Sequence, residues 1–193
     1  MKLIGFNGKM GVGKSTAIQC LRHELEGTNT QVRLVKFAQP LYDIQEFVYE
    51  RIASVHRRST DFTKDRKLLQ WLGTDWGRDT ISSTLWVDLW KAEVNVLNKL
   101  YPDDIIVCDD VRFDNEAETV LNTEGYIVKI TSNKAEKRID TKAGISNHAS
   151  EAGICNDYID YEIENNGSIS DFNNELTKMY KEFGILPNNK RSK

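Results

Sequence analysis

The sequence predicts an α/β fold: a five-stranded, mainly parallel sheet flanked by helices, carrying a helical insertion and a short lid. Three observations lead to it. Five apolar runs alternate with segments of helical periodicity along 193 residues, the pattern of a sheet wound by right-handed crossovers. The run Ile105-Ile106-Val107-Cys108 is apolar without alternation, as expected of a parallel strand covered on both faces. Directly after the first run, Leu3-Ile4-Gly5-Phe6, stands Gly8-Lys9-Met10-Gly11-Val12-Gly13-Lys14-Ser15, which reads Gly-x-x-x-x-Gly-Lys-Ser, a phosphate-binding loop at its usual strand-to-helix position. A chain of this length suits one domain, residues 1–193, with a core that needs no staples.

In such a loop the glycines let successive backbone N–H groups turn inward, the lysine reaches the β- and γ-phosphates, and the hydroxyl after it can bind Mg²⁺. Gly8, Gly11, Val12, Gly13, Lys14, Ser15 and Thr16 are therefore the expected nucleotide contacts. The helix that follows, with Ala17, Ile18, Leu21 and Leu25 on one face before Gly27, adds the partial positive charge of its N-terminus. The alternative is a glycine-rich structural turn, which would not require Lys and Ser together at its end.

The second strand runs from Val32 to Phe37, and Pro40 opens a helix whose face is Leu41, Ile44, Phe47, Val48 and Ile52. Residues 56 to 64 read as a mobile polar connection. Leu68, Leu69 and Leu72 suggest a short helix stopped at Gly73, and Leu85 to Leu100 form the longest helical pattern. Residues from about 40 to 100 exceed a crossover helix and read as an acceptor-binding insertion. After the Ile105–Cys108 strand come a helix from Glu116 to Glu124 stopped by Gly125, a strand Tyr126–Ile130, a charged helical segment from Asn133 to Lys142, a polar loop, a strand from Tyr158 to Ile163, a turn at Asn165-Asn166-Gly167 and a last amphipathic helix with Ile169, Phe172, Leu176 and Tyr180. Residues 188–193 read as a frayed tail. Ligands in such sheets bind beyond the carboxyl ends of the strands, where the phosphate loop, Phe37-Ala38, Asp109 and Thr131 converge.

Hydrophobic residues at 39% and charged residues at 28% describe a soluble globular chain. A formal charge of −3 gives no electrostatic reason to expect a nucleic acid polymer or an anionic membrane as partner. The three cysteines, Cys20, Cys108 and Cys155, have no metal-ligand spacing, which suggests reduced thiols and a cytoplasmic location. No run approaches a signal peptide or a membrane span.

Asp109 and Asp110 end an apolar strand, where a phosphate-loop enzyme places an acid that holds Mg²⁺; Asp109 is the favoured ligand with Ser15, and a turn-capping role is the alternative. Arg112 lies just beyond, able to grip two phosphate oxygens at once; an ion pair with Glu116 stands beside that reading. Arg66 and Arg78 flank a short helix and glycine turn, a pocket for a second phosphate in which Gln70 or Thr74 could read a base or sugar; solvated charges are the alternative. Trp71, Trp76, Trp86 and Trp90 read mainly as core, although Trp86 could face a cleft. Lys134, Lys137 and Arg138 could close a lid of about residues 132–156 over the phosphates, or form a solvated face. His148, Ser150 and Glu151 lack a nucleophile elbow and read as a loop network.

Together these segments resemble the P-loop deoxynucleoside monophosphate kinases, especially those encoded by bacteriophages. The resemblance rests on the phosphate loop, Phe37-Ala38-Gln39-Pro40-Leu41, the Arg66 to Arg78 segment, Asp109-Asp110-Val111-Arg112-Phe113, His148-Ala149-Ser150-Glu151 and Asn165-Asn166-Gly167-Ser168. It implies a P-loop NTPase fold, ATP with Mg²⁺, transfer of the γ-phosphoryl group to a deoxynucleoside monophosphate (dNMP), and Arg66, Gln70, Arg78 and Arg112 around the acceptor. Many relatives carry Asp where this chain has Ser15, so no acidic role transfers there. The expected catalytic set is Lys14, Asp109, Arg112 and Arg138; the expected acceptor set is Phe37, Ala38, Arg66, Gln70, Thr74, Arg78, Trp86 and Arg112. A phage-type chain would work in its host's cytoplasm, with a homodimer as a candidate assembly. The rivals are another small-molecule kinase such as one acting on dephospho-coenzyme A, a noncatalytic nucleotide-binding subunit, and a GTP switch. Asn133-Lys134-Ala135-Glu136 only partly matches a guanine-reading Asn-Lys-x-Asp, and no Asp-x-x-Gly follows Asp109.

Overall fold

All five apolar runs form strands, and every pairing between them is parallel: β1 (Lys2–Asn7), β2 (Val32–Leu34), β3 (Ile105–Cys108), β4 (Tyr126–Thr131) and β5 (Tyr161–Glu164), in the order β2-β3-β1-β4-β5. The computed structural model describes residues 1–56, 64–135 and 153–187. Central β1 is buried at every residue after Lys2. Register pairs Gly5 with Cys108 and Asn7 with Lys129, which brings the loops after β1, β3 and β4 to one edge of the sheet.

Successive residues of a strand point to opposite faces, and the core divides accordingly. Ile4, Phe6 and Val107 face α1 (Lys14–Glu24) and the last helix, α6 (Ile169–Glu182), through Ala17, Leu21, Leu176 and Tyr180. The Tyr180 hydroxyl donates to the Ala17 carbonyl at 2.8 Å, so this buried phenol has its partner. Leu3, Ile106 and Cys108 face the other side, against α4 (Leu85–Leu100) and α5 (Asp114–Asn122), through Val87, Trp90, Val94, Ala117 and Val120. The long helix α4, grouped by its sequence with the insertion, thus covers the sheet along one stripe.

A third cluster, Leu41, Leu69, Leu72 and Trp86, joins α2 (Gln39–His56), α3 (Arg66–Gln70) and the start of α4. Here Gly73 does not stop the helix. The backbone runs from α3 straight into a π-helix, Trp71–Ile81, closed by Ser82 N–H on the Gly77 carbonyl at 2.9 Å. The reason is tertiary. Trp86 Nε1 donates to the Gly73 carbonyl at 2.8 Å, and a Cβ on Gly77 would sit 2.3 Å from Trp86 Cζ2. The glycines here admit an indole rather than end a helix, and the π-helical widening, a rare local geometry usually tied to a site, follows that contact.

Three boundaries also move. The second strand ends at Leu34 rather than Phe37, although Val35 N–H still donates to the Val107 carbonyl at 2.9 Å. A 3₁₀ turn, Asn156–Tyr158, precedes β5. Helix α5 starts at Asp114, and Glu124, with φ of 60°, takes the left-handed position expected of Gly125. Gly125 is needed for space instead, because a Cβ there would lie 2.8 Å from Leu3 Cγ.

Candidate active site

The loop between β1 and α1 needs its glycines for two different reasons. Gly8 has φ of +143°, and a Cβ would fall 2.3 Å from the Ile130 carbonyl oxygen, so β4 lies against it. Gly13 has φ of +118°, and its Cβ would fall 2.7 Å from Asn165 Nδ2. Gly13 also starts α1 with no side-chain cap, which leaves the first-turn N–H groups to an anion. The Lys14 ammonium donates to the Gly8 carbonyl at 2.5 Å and the Lys9 carbonyl at 2.9 Å, curling over its own loop. Ser15 is exposed and Thr16 half-buried at the head of the helix, while the Val12 side chain is core and only its backbone lines the loop. The Val12 carbonyl accepts from Asn165 Nδ2 at 2.8 Å, and Asn165 N–H donates to the Thr131 carbonyl at 2.8 Å.

Similar ties join the neighbouring loops. Asn7 Nδ2 donates to the Val111 carbonyl at 2.9 Å, fastening the phosphate loop to the segment after β3. Asp110 is a structural acid: its carboxylate accepts the N–H groups of Phe37 at 3.1 Å and Ala38 at 2.9 Å, and the Cys108 thiol at 3.1 Å. Burial pushes its pKa up, opposed mainly by the Ala38 N–H. Burial likewise holds the Cys108 thiol well above its usual range, so it acts as a neutral donor.

Asp109 is placed differently. Its Oδ1 is buried without a hydrogen bond, with the Lys36 ammonium 3.3 Å away as an ion pair. A buried carboxylate oxygen without a hydrogen bond fits a hard cation such as Mg²⁺, which keeps several waters and takes few protein ligands. The described residues contain no group of three or more His, Cys, Asp or Glu side chains that could hold a metal ion.

Of the expected acceptor set, Arg66, Gln70, Thr74 and Arg78 recur every four residues along α3 and the π-helix, a spacing that keeps them near one face because the two helix types drift in opposite senses. Asp65 caps α3 by accepting from Leu68 N–H at 3.0 Å. Arg66 is exposed, and Gln70, Thr74 and Arg78 are half-buried. Arg78 packs its guanidinium 3.9 Å over the Phe113 ring and reaches Glu116 Oε1 at 2.5 Å. The other Glu116 oxygen accepts from the N–H groups of Arg112 at 2.8 Å and Phe113 at 3.2 Å. The ion pair foreseen for Glu116 is therefore made with Arg78, while the Arg112 side chain is exposed.

Two expected acceptor contacts are corrected. The Phe37 ring is buried and stacked on Trp90 at 4.6 Å, leaving its backbone, with Ala38, at the sheet edge. Trp86 is 4% exposed and braces the π-helix; it faces no cleft. Arg138 and Lys137, with most of the expected lid, and the His148, Ser150 and Glu151 set lie outside the described residues; Lys134, which lies within them, is exposed. Lys36 was not foreseen, and Glu116 and Asn165 were named only as a neighbour of Arg112 and as part of a turn. Only the position of Lys36 at the carboxyl end of an apolar run could have drawn attention to it.

A family model described as deoxynucleotide monophosphate kinase matches residues 2–176. The chain belongs to this family. A deoxynucleoside-5'-monophosphate kinase of Escherichia phage T5 is 33% identical over 109 residues, 54% of this chain and 40% of the phage protein, so the matched stretch spans less than half of that relative. An Acanthamoeba polyphaga mimivirus protein provisionally named a deoxynucleotide monophosphate kinase is 30% identical over 152 residues, 67% of this chain and 74% of its own. Among solved structures, dephospho-CoA kinase from Campylobacter jejuni superposes with a TM-score of 0.50 at 18% identity, covering 96% of this chain and all of that one; the likeness is one of fold. For this family member the P-loop kinase scaffold accounts for the parallel sheet and for the loops gathered at its carboxyl edge.

Proposed function

We propose that the chain transfers the γ-phosphoryl group of ATP to a phosphate oxygen of a dNMP, giving ADP and the corresponding diphosphate. The observation that carries this reading is the union, through the Asn7 to Val111 hydrogen bond, of a phosphate loop with an uncapped helix start and an acid whose buried oxygen lacks a hydrogen bond. The acceptor phosphate is already a nucleophile, so positioning and charge neutralisation matter more than a strong base. The backbone of Gly8 to Gly13 and the ammonium of Lys14 hold the donor phosphates. Lys14 then exchanges the Gly8 and Lys9 carbonyls for phosphate oxygens. Ser15 and Asp109 would hold Mg²⁺, which neutralises phosphate charge when bound. Arg78, Arg112, Arg66 and Gln70 orient the acceptor, with Ala38 and Thr74 at its edge, and Arg138 on the lid adds a cation to the transferring group.

A small-molecule substrate, ATP as donor and Mg²⁺ as metal follow from this reading, as does work in the cytoplasm without a nucleic acid polymer. Among the described residues no helix is long and apolar enough to cross a membrane. A homodimer is the assembly we would test first. Dephospho-coenzyme A is the rival acceptor, raised by fold likeness alone. The test measures ADP release with ATP and Mg²⁺ against a panel of deoxy- and ribonucleoside monophosphates, with dephospho-coenzyme A included. Release driven by one or more dNMPs supports the reading; release driven only by the coenzyme precursor overturns the acceptor.

A further inference from the structure

Two of the three arginines expected on the acceptor come from different elements, Arg78 from the π-helix and Arg112 from the loop after β3. Nothing in the sequence says how their positions are set relative to each other. Glu116, on the first turn of α5, touches both segments. It is 3% exposed, and its carboxylate accepts from Arg78 Nη2 with one oxygen and from the Arg112 and Phe113 backbone with the other. Asn115 beside it accepts from Arg78 Nη1 at 3.5 Å and donates to the Ser83 carbonyl at 3.2 Å, tying the same corner to the end of the π-helix. Phe113 completes the cradle by lying under the Arg78 guanidinium.

We propose that Glu116 is a positioning residue for the acceptor, holding Arg78 and the Arg112 backbone on one carboxylate so that the two segments bind the acceptor as one unit. The inference rests on the kinase reading above. A carboxylate with two acceptor oxygens can serve both segments at once; its amide isostere has one, and turns a donor toward either the guanidinium or the loop N–H groups. A guanidinium held by one oxygen of a fixed carboxylate and an aromatic face keeps its orientation when the acceptor arrives, so less ordering is lost on binding.

The charge state of Glu116 matters to this coupling. Burial pushes its carboxyl up to about 7, with the nearby Asp110 carboxylate at the end of β3 acting in the same sense and the Arg112 N–H and Arg78 guanidinium against it. Among the described residues the Cys108 thiol, itself neutral, also faces it. Protonation below that pH removes the anion that anchors Arg78, and acceptor binding weakens as pH falls.

The experiment is steady-state kinetics of Glu116→Gln. The expected result is a KM for the dNMP raised about tenfold, the factor carried by one charge-assisted hydrogen bond, with the KM for ATP changed by less than about twofold, the scatter of surface substitutions. The second readout is the pH profile of kcat/KM for the acceptor between pH 6 and 8. The acceptor's own phosphate titrates in both enzymes with a pKa near about 6, so the difference between the profiles reports Glu116: the wild type should fall more steeply than the variant on the acid side. In an Arg78→Gln background, Glu116→Gln should raise the acceptor KM further by less than about twofold, because coupled residues are not additive. If Glu116→Gln fails to fold, Arg78→Lys carries the test, and its acceptor KM should also rise while its ATP KM does not. Wild-type turnover with an unchanged acceptor KM in these variants, or an equal rise for ATP and acceptor, overturns the positioning role and leaves the kinase reading standing. Absence of dNMP-dependent turnover in the wild type overturns both.

Discussion

Asp109 and Asp110 are neighbours in sequence, yet their environments predict opposite consequences for the same substitution. Asp110→Asn replaces one oxygen by an amide that must face the N–H of Phe37 or Ala38. Leaving a buried donor unsatisfied costs about 1–3 kcal/mol. Part of this is offset because the amide removes a carboxylate whose pKa burial has raised, so about 1–2 kcal/mol should survive, a fall of roughly 2–8 °C in Tm for a chain of this size. Asp109→Asn disturbs no hydrogen bond of Oδ1, and loses only an ion pair that is about a tenth to a third exposed, worth at most about 1 kcal/mol. Its Tm should stay within about 2 °C of wild type, while turnover falls by a factor of about 100 or more through loss of a metal ligand at the transferring phosphates. Differential scanning calorimetry and ADP release on both variants decide the matter. An Asp109→Asn enzyme that melts early and turns over normally, beside an Asp110→Asn enzyme that is stable and inactive, would refute the assignment.

Other expected outcomes follow from single contacts. Gly8→Ala drives a Cβ into the Ile130 carbonyl at a left-handed φ; the strain should exceed about 1 kcal/mol and weaken ATP binding, and an alanine enzyme with normal ATP affinity would contradict the loop geometry. Trp86→Phe removes the hydrogen bond to the Gly73 carbonyl and opens space beside Gly77, which should lower stability by about 1–3 kcal/mol in urea titration and raise the acceptor KM more than the ATP KM. The pH dependence of stability carries the sign of the Glu116 shift. Its folded pKa of about 7 lies above the unfolded value of 4.5, so the native chain holds a proton that the unfolded chain has released. The contribution is complete below pH 4.5 and is lost as pH rises through 7, by at most about 3 kcal/mol. Thermal melts at pH 5 and pH 8 should show a smaller drop for Glu116→Gln than for wild type; parallel drops would remove Glu116 as the titrating group.

The sheet was readable because parallel strands buried on both faces leave apolar runs that local composition cannot hide, as at Ile105–Cys108 and Tyr126–Ile130. The phosphate loop was readable because its chemistry fixes residue types at fixed spacing. Contacts made across the fold were not. Gly73 looked like a helix stop, and only the Trp86 indole, thirteen residues away, explains why the helix passes through it. Phe37 and Trp86 looked available to a ligand because aromatic side chains serve cores and sites equally well. The Asp pair could not be divided from sequence, since what separates them is that Asp110 faces the Phe37 and Ala38 N–H groups. Glu116 was read as an ion-pair partner of Arg112, whereas its ion pair is made with Arg78 of the π-helix.

The most direct test of the account follows both products together, ADP and deoxynucleoside diphosphate, for the wild type and for Lys14→Ala in the presence of ATP, Mg²⁺ and a dNMP. The account predicts equal amounts of the two products from the wild type, dependence on the acceptor, and near-complete loss in a Lys14→Ala protein whose melting temperature is unchanged. ADP release without diphosphate formation, or near-normal turnover by Lys14→Ala, would contradict it.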